Sequence, residues 1–186
     1  MKKRSIALLL AALMVFAIAG TALAASVVIP DVTAGLQVNE GSENGNISRL
    51  KVMNLQGYDQ LVQLRQQAVQ TREQIKANQK TIKQLAKVAS KGKNKNQEQI
   101  ALLIAYRNNA LQIKADLKAL WATQKVNWTE MKAARKAKDT ALMQSIFDTK
   151  ILPTRQAINT KLLDFKAAQD QLITTLTTPP APEPQP

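Results

Sequence analysis

The stretch 58-YDQLVQLRQQAVQTREQIKANQKTIKQLAKVA-89 decides the fold. Leu61, Leu64, Ala68, Thr71, Ile75, Asn78, Ile82, Leu85 and Ala89 follow one another at alternating steps of three and four. That spacing keeps one side of a helix apolar turn after turn, as on a coiled-coil seam. Thr71 and Asn78 interrupt it as polar positions able to fix register. The abundant Ala, Gln, Lys and Leu all favour helix. The spacing predicts a helix over 58–89, and so long a stripe must be covered by other helices.

Downstream, Ser90–Gln97 contains Gly92 and two asparagines, a loop of a length common between antiparallel helices. From about Glu98 to Lys138 the same rhythm returns in Leu103, Tyr106, Ala110, Ile113, Leu117, Leu120, Gln124, Asn127 and Met131. Trp121 and Trp128 fall on this face, and Ile104 and Leu111 are expected to widen it. Arg135, Lys136 and Lys138 suit the negative end of the helix dipole, and Asp139 is placed to cap the next helix. A third helical region spans about Thr140 to Leu176, with Ile158, Leu162, Phe165, Gln169, Leu172 and Leu176 as its seam. Pro153 lies inside it and predicts a kink or a break, because proline lacks a donor and clashes with the preceding turn.

The expected fold class is all-α. It is an antiparallel helical hairpin or three-helix bundle over residues 58–178, with coiled-coil-like seams, its first two helices paired through Ser90–Gln97. At about 1.5 Å per residue the second helix is roughly 60 Å long. Either it breaks near Asn127, or the molecule is elongated and its ends take a partner chain, as in a homodimer.

The flanks read differently. Residues 25–57 hold Pro30, four glycines and the polar run 39-NEGSENGN-46, and are expected to form a flexible N-terminal arm. The acids of that run lack the ordered spacing of a calcium-binding EF-hand loop. The tail 179-PPAPEPQP-186 is expected to be extended and disordered. Residues 1–24 read as a signal peptide: Lys2, Lys3 and Arg4, an apolar run from Ile6 to Ala19, then Ala22-Leu23-Ala24 as a cleavage site. Its removal leaves 162 residues, with 23 basic against 13 acidic side chains, a net charge of +10, and no transmembrane segment. The expected location is exported, periplasmic or associated with the cell wall.

The chain has no cysteine and no histidine. Disulfides, thiol catalysis, Ser-His-Asp sites, zinc hydrolases and His-ligated haem are therefore excluded. No carboxylate pair has a catalytic spacing. Asp116 and Glu130 read as ion-pair partners, and no catalytic residue, metal ligand or cofactor is assigned. Asn46-Ile-Ser48 and Asn127-Trp-Thr129 match the glycosylation sequon, which behind a bacterial-style leader is read as coincidence.

Two groups stand out as binding candidates. Arg65, Arg72, Lys76, Lys80, Lys83 and Lys87 fall within about 80° of one another at about 100° per residue, and Lys91, Lys93 and Lys95 extend the patch into the loop. Such a stripe is either a solvated face that keeps the protein soluble or a site for cell-envelope polyanions. The shortage of arginine and the absence of aromatics within it argue against specific nucleic-acid recognition. Trp121 and Trp128, seven residues apart, are either core or apolar contacts for a non-native client chain.

The plan resembles the small extracytoplasmic helical proteins of the Spy/CpxP type. Residues 58–176 share their basic, cysteine-poor, almost wholly helical character. In 133-AARKAKDTALMQSI-146 a basic helix end meets an Asp-capped amphipathic helix, as in that family. The family's Leu-Thr-x-x-Gln repeat is missing, so no site residue is carried over. A fainter likeness is to the basic coiled-coil chaperone Skp. Either likeness implies ATP-independent holding of unfolded proteins outside the cytoplasm. The leading expectation is thus a non-enzymatic helical holdase or envelope-stress protein, with unfolded or envelope proteins as partners. The alternative is an envelope-associated structural or polyanion-binding protein that uses the basic helix face.

Overall fold

A computed structural model describes Leu50, residues 54–91 and residues 97–178. Helix α1 spans Tyr58–Lys91, α2 spans Gln97–Lys136 and α3 spans Thr140–Ile146. A π-helical turn, Phe147–Ile151, leads from α3 into α4, Leu152–Thr177. Among the described residues there is no strand, and the fold is an all-α bundle. The leader, the run 39–46, the middle of the α1–α2 loop, with Lys93 and Lys95, and the tail lie outside the described residues.

Hydrogen bonds fix the relative directions of the helices. Asn159 donates to the Leu64 carbonyl, Asn78 to Asp170 and Gln169 to Gln79, at sequence separations of 95, 92 and 90. A nearly constant offset means that α1 and α4 run parallel. Along α2 the partner number falls as the residue number rises, from Tyr106–Gln169 through Asp116–Lys161 to Asn127–Thr154. Helix α2 is therefore antiparallel to both. It is continuous past Asn127, so at about 1.5 Å per residue the bundle is elongated, roughly 60 Å long.

Every residue on the three predicted seams is buried or half-buried. The buried face of α1 is wider than its seam and includes Arg72, Gln79 and Ala86, because α1 packs beside two helices rather than one. The pairing differs from expectation. α1 and α4 share the most extensive contact, α2 and α4 the next, and α1 and α2 approach each other least. The fourth helix thus holds the first two together. Ile104 and Leu111, expected to widen the buried face of α2, are instead 43% and 44% exposed.

One end of the bundle has its own core, in which Leu61, Trp128, Met131, Met143, Ile146, Phe147 and Ile151 pack with Leu50 and Leu55. The last residues of the supposed arm are therefore part of the fold. Leu50 and Leu55 supply apolar area, and Gln56 exchanges backbone hydrogen bonds with the Gln144 side chain.

Two local features explain the chain path at this end. After α2, the Asp139 amide donates to the Ala134 carbonyl and the Lys138 amide to the Arg135 carbonyl, with Lys138 at φ 58°. This is a Schellman termination with lysine in the left-handed position usually held by glycine. Asp139 then caps α3 as expected, its carboxylate accepting from the Leu142 amide at 2.8 Å. Pro153 neither kinks nor breaks the third helix at its own position. It stands in the first turn of α4, just after the π turn, where the Leu152 amide reaches back to the Phe147 carbonyl. The wider π turn absorbs the missing donor and the bulk of the ring.

A candidate anion-binding face between α1 and α2

The basic stripe predicted on α1 is divided by the fold. Arg72 leaves the surface: it is buried, and its guanidinium lies over the Trp121 ring at 5.1 Å from the centroid. Arg155 of α4, also buried, approaches the same ring at 5.7 Å. The indole thus receives a cation from each neighbouring helix. Arg65, Lys76 and Lys83 are half-buried, and Lys80 and Lys87 are exposed. Lys76 is paired with Glu73 at 2.7 Å.

Neither tryptophan stands open to a client chain. Trp128 is buried in the end core, and Trp121 is half-buried beside the two guanidiniums. Both take part in the packing of the fold. Asn127 is buried too, donating to the Lys150 carbonyl and to Thr154, so its sequon is closed off.

A second basic stripe runs along α2. Arg107, Lys114, Lys118, Lys125, Lys132 and Lys136 recur at steps of seven and four, within about 40° of one another at about 100° per residue. None of the six forms an ion pair among the described residues. The acids of α2 point elsewhere. Asp116 pairs with Lys161 of α4 at 3.0 Å, and Glu130 pairs with Lys150 of the π turn. Hydrogen bonds from Lys161 and then from Gln112 hold the Asp116 carboxyl below its ordinary range. Over its middle, helix α2 is thus charge-segregated, with Asp116 and Glu130 toward α4 and the π turn and the six stripe cations on the side away from them.

Contacts with known positions show where the two stripes lie. On α1, Leu64 and Asn78 meet α4 whereas Arg72 meets Trp121 of α2. The α1 stripe starts at the meridian of Arg72 and turns outward from there. On α2, Asp116 and Asn127 meet α4, and Trp121 meets α1. The α2 stripe begins about 20° beyond Trp121 and likewise turns outward. Both stripes therefore border one shallow groove, on the side of the bundle where α4 does not reach.

Exposed apolar side chains share this face. Val69 lies inside the α1 stripe, between the meridians of Lys76 and Lys80, and is 38% exposed. Leu111 and Ile104 flank Lys118 by about 20° and about 40° at helical spacing. Among the described residues no group of carboxylates is placed to hold a metal ion. The face offers cations and short apolar side chains.

The α2 stripe was open to the same wheel arithmetic that found the one on α1. The apolar seam on the same helix is the stronger periodic pattern and masks it. Arg155 stands three residues before Ile158, where the α4 seam continued backward places it inside, but its charge speaks for the surface. No family model, curated protein or solved structure matches the chain.

Proposed function

We propose that the protein is an exported, non-enzymatic binding protein whose α1–α2 face holds anionic partners in the cell envelope. One observation carries this reading: six cations align on α2 without an ion pair among the described residues, beside a second basic stripe on α1. Asp116 and Glu130 are used to join α2 to α4 and to the π turn, so the face keeps its charge for an outside partner. Retention on a polyphosphate-bearing resin tests it. The logarithm of affinity should fall linearly with the logarithm of salt, since each neutralised anion releases counterions. The slope should shrink in a Lys114→Glu/Lys118→Glu variant. Salt-independent retention removes the proposal.

A second reading, ATP-independent holding of unfolded proteins, draws support from Val69, Ile104 and Leu111. These exposed side chains beside the cations supply the apolar contact that Trp121 and Trp128 do not. Light scattering with two unrelated aggregating clients separates the readings. Delay of aggregation that persists in moderate salt favours holding, because apolar contacts are little screened.

A further inference from the structure

We infer that the anionic partner of the α1–α2 face is the surface of an anionic phospholipid bilayer, a deepening that rests on the polyanion reading above. The face is built by two antiparallel helices lying side by side, with the cations of both turned to the same outer side. Such an arrangement lays charge over an area rather than along a line. It matches a sheet of headgroups better than a single polymer strand.

The apolar residues sharpen the match. Val69, Ile104 and Leu111 stand exposed among Lys80, Arg107, Lys114 and Lys118, all on this one side. A soluble polyanion has no use for them. At a bilayer surface, short aliphatic side chains enter the headgroup boundary while flexible lysines keep their ammonium groups among the phosphates. No helix among the described residues is long and apolar enough to cross a membrane, so the association is peripheral. Single-stranded nucleic acid fits less well. The stripes carry no aromatic side chain for bases to stack on, and Trp121 already lies against two guanidiniums.

Co-sedimentation with lipid vesicles tests the inference on the full mature chain. Vesicles with about 30% phosphatidylglycerol in phosphatidylcholine should bind, and pure phosphatidylcholine vesicles should not. Lys114→Glu/Lys118→Glu should weaken vesicle binding by at least about tenfold, since each surface cation contributes to attraction, and should weaken polyphosphate retention with it. Ile104→Gln/Leu111→Gln should weaken vesicle binding by roughly fivefold while leaving polyphosphate retention unchanged. All four positions lie outside the buried core, and circular dichroism of each variant checks that helicity is kept. Polyphosphate retention without binding to anionic vesicles overturns the lipid inference and leaves the polyanion reading standing. So does vesicle binding that Ile104→Gln/Leu111→Gln does not touch. Failure to bind either probe removes both.

Discussion

Gln169 of α4 donates its side-chain amide to the Tyr106 hydroxyl of α2 at 3.0 Å, inside the core that joins the two helices. Burial pushes the Tyr106 phenol up to about 12, against the opposing pull of the Gln169 bond. A raised folded-state pKa means that the stabilisation is complete below the ordinary value of 10 and is lost as pH rises through about 12. Denaturant unfolding across that window should show the wild type losing roughly 2 kcal/mol more than Tyr106→Phe. With Tyr58 replaced by Phe, the remaining phenol absorbance titration belongs to Tyr106 alone and should be displaced upward.

Gly57 is required twice over. Its φ of +78° is left-handed, and a Cβ there would stand 3.1 Å from Cε1 of Phe147, which is fully buried. An aromatic ring held on all sides cannot give way cheaply. Gly57→Ala should therefore cost roughly 2 kcal/mol, the sum of a conformational and a packing penalty. Thermal unfolding should show a midpoint about 4–8 °C lower.

Lys138 occupies a position that glycine holds at lower energy. It is exposed, its φ is 58°, and its amide already makes the bond to the Arg135 carbonyl that ends α2. Lys138→Gly should therefore stabilise the protein by about 0.5–1 kcal/mol, with the cap bonds unchanged. A lower melting temperature would mean that the lysine side chain contributes more than its backbone costs.

The seams were legible because period is a property of each helix alone. Leu61, Ile75 and Ile82 need no knowledge of their partners to be placed inside. Arg72 does, because it lies only about 20° from Arg65 on the wheel. Its burial follows from Trp121, which reaches that shoulder of α1 from a residue 49 positions later in the chain. Ile104 and Leu111 illustrate the converse. They qualify for burial by hydropathy, yet they lie about 100° and about 80° past Trp121 on the wheel, turned away from the side of α2 that meets α1. The π turn ahead of Pro153 depends on how the end core packs around Phe147 and Ile151, which no local pattern states.

Ile82 and Lys80 make a paired test of the α1 seam. Ile82 has no exposed surface, whereas Lys80 points to solvent. Ile82→Asp buries a carboxylate without a partner and should cost several kcal/mol, about enough to unfold a marginal bundle. Lys80→Asp should keep its helical circular dichroism. Equal loss in the two variants would place the stripe of α1 inside the interface.

Salt should stabilise this bundle, although ion pairs join its helices. The pairs Lys161–Asp116 and Lys150–Glu130 are both partly exposed, and pairs of that kind contribute about 0–1 kcal/mol each. The six cations of the α2 stripe form no ion pair among the described residues and repel one another over much of the length of that helix. Raising ionic strength from about 0.01 to 0.15 M shortens the screening length from about 30 to 8 Å, which weakens the longer-range repulsion more than the contact pairs. The melting temperature should therefore rise by about 2–4 °C, equivalent to roughly 1 kcal/mol. Lys114→Gln/Lys125→Gln, which removes two charges from the α2 side, should already be the more stable protein at low salt and gain less when salt is added. A melting temperature that falls with salt in both proteins would show that the ion pairs outweigh the repulsion.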